Sequence, residues 1–177
     1  MRAVIVYESM YGSTHAVADA IGRGLAGAAE QVIVVGVGES DPDVLAGADL
    51  LVVGGPTHVH GMTSKRTREA AVQSAADDDE LHLEPHADGP GLRDWFDGLE
   101  DGADRMSAAF DTRIDKPAVL TGRASKAIAR RLHRHGYRMA ADPTSFLVDT
   151  HGRLLDGQEA AATEWGRELA KAVSSVA

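Results

Sequence analysis

The chain has 177 residues, 44% of them hydrophobic and only 5% aromatic, which suits one domain spanning residues 1–177 around an aliphatic core. Its 27 acidic and 18 basic residues leave a net charge of -9, which argues against nucleic-acid binding and against an anionic membrane surface. Cysteine is absent, excluding disulfides and thiol chemistry; no apolar run is long enough to span a membrane, and Met1-Arg2 leads into a strand without a signal-peptide pattern, so a cytoplasmic location is expected.

Ala3 to Tyr7 is a near-continuous apolar run, the pattern of a strand covered on both faces. After Glu8 comes a hydroxyl-rich loop, Ser9-Met10-Tyr11-Gly12-Ser13-Thr14, and then a helical pattern from about Thr14 to Leu25. Ala16, Val17, Ala20, Ile21 and Leu25 form its apolar stripe. The first amides of a helix lack intrahelical partners and carry the positive end of its dipole, so an anion fits there. Ser9, Ser13 and Thr14 add hydroxyl donors, and Gly12 permits a tight turn. The segment therefore predicts a phosphate-binding loop.

Gln31 to Val37 and Asp49 to Gly54 read as the second and third buried strands, with a short helical turn opened by Ser40-Asp41-Pro42 between them. This β-α-β-α-β rhythm implies a parallel sheet with right-handed crossovers. Ligands of such sheets bind at the carboxyl ends of the strands, near the topological switch point. The loop after the third strand, Gly55-Pro56-Thr57-His58-Val59-His60-Gly61, is therefore the second place to look.

Residues 62–89 form an irregular insertion: TSKRTREAAVQSAA is compatible with a helix, Asp77 to Glu80 is an acidic run, and the remainder reads as loop over a solvated surface. Leu92, Trp95, Phe96 and Leu99 have helical spacing. Met106 to Phe110 is a fourth strand reaching Asp111-Thr112-Arg113, and Pro117 to Leu120 either extends it or forms a small strand of its own. Ser125 to His135 is a helix stopped by Gly136. Tyr137 to Ala141 and Ser145 to Val148 form a fifth strand broken near Pro143. Asp156-x-x-Glu159 has the spacing of a capping box opening a last helix, with Ala162, Trp165, Leu169 and Val173 inward.

The stretch VYESMYGSTHAVADAI resembles the phosphate loop of flavodoxins and flavodoxin-like proteins, with Ser9, Gly12, Ser13 and Thr14 matching its hydroxyl-Gly-x-hydroxyl pattern. The resemblance covers nearly the whole chain apart from the insertion at 62–89. It implies an α/β, doubly wound, five-stranded parallel sheet of order 2-1-3-4-5 with helices on both faces, holding FMN; flavodoxin is itself the standard example of that strand order. It further implies that Ser9 to Thr14 hold the FMN phosphate, with Met10 and Tyr11 acting through backbone amides. Pro56, Thr57, His58, Val59, His60 and Gly61, and on the other side Asp111, Thr112 and Arg113, frame the isoalloxazine. Neither loop carries the Trp or Tyr with which many flavodoxins sandwich the ring.

The function implied is electron transfer between a reductase and an acceptor, for which an acidic surface suits basic redox partners. The alternative is an FMN-dependent oxidoreductase acting on a quinone or porphyrinogen, and a third is a flavin-free regulatory or interaction module on the same fold. No metal site is expected: His58-x-His60 has no acidic or cysteine partner nearby in sequence. No nucleophile has an evident activating base. Arg123, Lys126, Arg130, Arg131 and Arg134 form a basic cluster, read first as a solvated helix face and second as a site for an anionic substrate or partner.

Overall fold

A computed structural model describes residues 1–58, 61–77, 81–85 and 87–175. Strands β1 (Arg2–Tyr7), β2 (Gln31–Gly36), β3 (Leu50–His58) and β5 (Met106–Ile114) pair in parallel in the order β2-β1-β3-β5. The fifth position is shared. The short β6 (Arg138–Met139) pairs with the start of β5, and β7 (Thr144–Val148) pairs with Phe110–Ile114 at its end. The expected strand order is present, and the break at Pro143 separates the two halves of the edge. A two-residue strand, β4 (Gly61–Met62), folds back antiparallel on Thr57 and His58.

Side chains alternate across the sheet. Ala3, Ile5, Leu50, Val52, Ala108 and Phe110 face α1 (Ser13–Leu25) and α7 (Gln158–Ser174). Val4, Val6, Leu51, Val53 and Ala109 face α4 (Leu92–Asp97) and α6 (Ala124–Arg134). On the first face Phe110, Phe146 and Trp165 meet edge to face, with ring centroids 6.1–6.4 Å apart. There α1 and α7 approach so closely that a Cβ on Gly24 would lie 2.1 Å from the Thr163 carbonyl oxygen, and one on Gly166 2.4 Å from that of Ile21.

The α2 turn (Pro42–Leu45) is capped by Asp41, whose carboxylate accepts the Val44 amide at 3.0 Å. Insertion residues Lys65–Asp77 form α3, which buries Arg68 and Ala71. Ala71, Ala87 and Met10 make a small apolar cluster, so the insertion packs on the first loop instead of lying free in solvent. Asp78 to Glu80 and His86 lie outside the described residues.

Two local expectations give way. Pro117 to Leu120 is no strand: Ala118–Thr121 is a single helical turn, α5, with Val119 86% and Leu120 63% exposed. The flank of β5 it would need is already taken by β6 and β7. Nor does Asp156 cap the last helix. The N-cap is Gly157 at φ +80°, while Glu159 pairs with Arg23 at 2.9 Å.

Candidate functional site

Loop 9–14 turns at Gly12, which caps α1 at φ +93°, a left-handed conformation that glycine adopts without strain. The Ser9 hydroxyl accepts the Gly12 amide at 3.1 Å, folding the loop on itself. Thr14 is buried, its hydroxyl 2.7 Å from that of Thr112 on β5. The Ser13 hydroxyl donates to the Gly152 carbonyl at 2.5 Å. Ser13, Thr14 and His15 open the helix, so their amides have no partner inside it.

A cleft of about 250 Å³ gathers the carboxyl ends of the strands. Met10, Tyr11, Ser13 and Thr14 line it from the first loop, Pro56, Thr57 and His58 from the end of β3, and Thr112 and Arg113 from the end of β5. Residues 55–58 and 111–113 are strand residues, held in register as Gly55 beside Asp111 and Pro56 beside Thr112. The walls of the cleft are thus part of the sheet.

Four of the expected residues stand apart from this lining. Ser9 and Gly12 shape the loop behind it. Asp111 is fully buried and accepts the Ser125 amide at 2.7 Å, while Thr57 accepts the Ala124 amide at 2.9 Å, so the two together cap α6. Gly61 lies in β4, facing a different groove. Val59 and His60 lie outside the described residues.

Sequence reasoning missed three contributors. Val148 to Gly152, the turn after β7, closes one side of the cleft; it also follows a parallel strand's carboxyl end, and that rule could have found it. Ser74 and Leu81 reach the cleft from the insertion. Glu8, only 4% exposed, accepts the Thr63 hydroxyl on one oxygen and the Leu92 amide at 2.8 Å on the other, pinning both ends of the insertion to β1.

Electrostatics divides the first loop into two sides. On one, a cavity of about 480 Å³ is lined by Glu8, Glu39, Glu84 and Asp88 along with Tyr7 and His15. His15 stacks on Tyr7 at 4.4 Å and meets Glu84 at 3.0 Å. Burial, then the charges of Glu84, Asp19 and Glu39, push the Tyr7 hydroxyl up to about 12. That side repels a phosphate. The other side offers hydroxyls and first-turn amides, and Arg113 stands at its end with a buried Nε that has no partner. Burial pushes the His58 pKa down against the opposing pull of Glu8, so its imidazole is neutral at neutral pH. Among the described residues no group of three or more His, Asp and Glu is placed to hold a metal ion.

This donor set fits a phosphate monoester carrying a flat, acceptor-edged ring. At about 250 Å³ the cleft is below the roughly 300–1,000 Å³ of pockets that enclose a whole ligand, so such a molecule stays partly exposed.

Comparison with known proteins places the chain in a family and a fold. The flavodoxin family matches residues 5–92, about half the chain, running through the first loop and the insertion. An archaeal flavodoxin superposes with a TM-score of 0.66 at 22% identity, over 98% of this chain and 99% of its own. Oxidised flavodoxin 2 from Bacillus cereus gives 0.67 at 17% identity, over 97% and 99%. Rubredoxin oxygen:oxidoreductase from Desulfovibrio gigas gives 0.65 at 18% identity, over 98% of this chain but 36% of its own. No curated protein matches. Likenesses at these identities speak to the fold, and the family match adds the first loop. The chain belongs to the flavodoxin-like family, whose cofactor is FMN and whose function is flavin-based electron transfer.

Proposed function

We propose that this protein is a cytoplasmic electron carrier that holds FMN in the cleft and passes electrons between a reductase and an acceptor protein. The observation that carries this reading is the convergence of three strand ends on one cleft beside the first turn of α1. Bound FMN supplies one- and two-electron redox chemistry. The chain's own residues bind and orient it. Ser13, Thr14 and the first-turn amides take the phosphate, and Thr112 fixes the Thr14 hydroxyl. Pro56, Thr57 and His58 lie along one side of the ring, with Thr112 and Arg113 along the other. Neutral His58 adds no charge beside the ring, so Arg113 is the cation that favours an anionic reduced form and raises the potential. Exposed Val119 and Leu120, close in sequence to Ile114 at the cleft, offer an apolar rim for a partner.

An enzyme acting on a quinone or porphyrinogen is the second reading, favoured by the shallow cleft and the lack of Trp or Tyr in its β3 and β5 walls. Titrating the purified protein with FMN is expected to give a saturable one-to-one complex. A protein that binds no flavin would overturn both readings. Steady-state turnover on a quinone and porphyrinogen panel then separates them. Rates no better than free FMN support the carrier, and rates far above it replace the carrier with the enzyme.

A further inference from the structure

We infer that the groove between α4 and α6 is a binding site for a small multivalent oxyanion, a molecule bearing phosphate or pyrophosphate groups. The groove holds about 490 Å³ and, among the described residues, shares no lining residue with the cofactor cleft. Arg130, Arg131 and Arg134 line it from α6, and Arg93 faces them from α4. Ala127, one helical turn before Arg130 and Arg131, is small and leaves the space open. The floor is β4, where Gly61 and Met62 line the groove.

Four guanidinium groups around one concavity repel one another, and this chain has acidic residues to spare for neutralising them. It does so elsewhere: Arg23 pairs with Glu159, Arg68 with Asp94 and Arg167 with Glu164. Among the described residues one carboxylate pairs with a groove arginine, Asp97, at 3.5 Å from Arg131 and 79% exposed. Arg130 and Arg134 have, among the described residues, no ion-pair or hydrogen-bond partner for their side chains. The other two are held in place. Arg93 donates to the carbonyls of Thr63 at 2.7 Å and Met62 at 3.0 Å, and Arg131 lies 5.6 Å over the Phe96 ring. Two anchored and two uncommitted cations around a concave surface concentrate positive potential where a dianion fits. Guanidinium forks match phosphate oxygens in pairs. The volume is that of a small-molecule site. This goes beyond the flavin reading and does not depend on it.

The test is calorimetric titration with inorganic pyrophosphate at low ionic strength, with saturating FMN present so that the first loop is occupied. Wild-type protein is expected to bind one pyrophosphate saturably. Arg130→Ala/Arg134→Ala should bind at least tenfold more weakly, while Lys126→Ala/Arg138→Ala, with the same loss of charge outside the groove, should bind as wild type. Both exchanges remove exposed side chains, so thermal melts are expected to stay within a degree or two of wild type without pyrophosphate. Absence of saturable binding, equal binding by the groove variant, or equal weakening by the control variant would each overturn the assignment.

Discussion

The two faces of the sheet are built on different principles. Against α1 and α7 the chain relies on close contact, a Gly24–Gly166 crossing and an aromatic triad of Phe110, Phe146 and Trp165, with polar links such as Arg23–Glu159 and Thr14–Thr112 added to it. Against α4 and α6 it adds polar pins to the apolar contact. Glu8 holds the insertion, Asp111 and Thr57 cap α6, and Arg93 ties α4 to β4. Packing contact is dense and cannot yield locally, whereas a polar pin fixes one segment and leaves its neighbours free. The first face therefore sets global stability. The second holds the insertion over the first loop and the arginine groove, and its polar pins sit beside the β3 and β5 ends that wall the cleft.

The sharpest way to break this contrast is at the helix crossing. Gly24→Ala should cost about 3 kcal/mol, the upper end of overpacking penalties, because the new Cβ meets backbone that cannot rotate away. Urea unfolding measures it, and a cost below about 1 kcal/mol would mean the helices can separate freely. Glu8→Ala should cost about 2 kcal/mol by orphaning the Leu92 amide and the Thr63 hydroxyl. Its signature is regional: hydrogen exchange should rise over residues 63–92 far more than in α1 or α7, and a uniform rise would erase the distinction between the faces.

Thr14→Val should weaken FMN binding by roughly 1–2 kcal/mol through loss of a buried hydroxyl, while global stability changes less. Unchanged affinity would place the phosphate elsewhere. The smallest effect concerns pH. The folded-state pKa of His58 lies below its ordinary value of 6.5, so the unfolded chain takes up that proton first. Its contribution is complete above about pH 6.5 and is lost as the pH falls toward the folded pKa. Stability measured between pH 7 and 5 should therefore decline less in His58→Gln than in wild type, and parallel profiles would exclude His58 as a source.

Much of this was legible in the chain. Apolar runs of four to six residues separated by helical stripes mark the parallel strands, and Ser9 to Thr14 mark the loop that opens α1 and borders the cleft. Local chemistry suffices there, because strand burial and helix termini depend on neighbouring residues. Thr57 and Asp111 show where that reasoning stops. Both sit at strand ends where a ligand is expected, yet each commits one oxygen to the first amides of α6, a helix 14 residues or more further along the chain. The Pro117 to Leu120 segment fails for a related reason: its apolar residues resemble a strand, but the adjacent sheet positions are already filled.

By itself the sequence determined the parallel β-α-β rhythm, the place of the first loop and, through a short motif, the family, whose resemblance in turn implied the strand order. Only the tertiary structure decided that the turn at Val148 to Gly152 closes the cleft, that a buried Glu8 anchors the insertion, and that Arg93 completes a groove with three arginines of α6. Those juxtapositions join residues from 37 (Arg93 and Arg130) to 139 (Ser13 and Gly152) positions apart, and no local pattern records a distance that only packing sets.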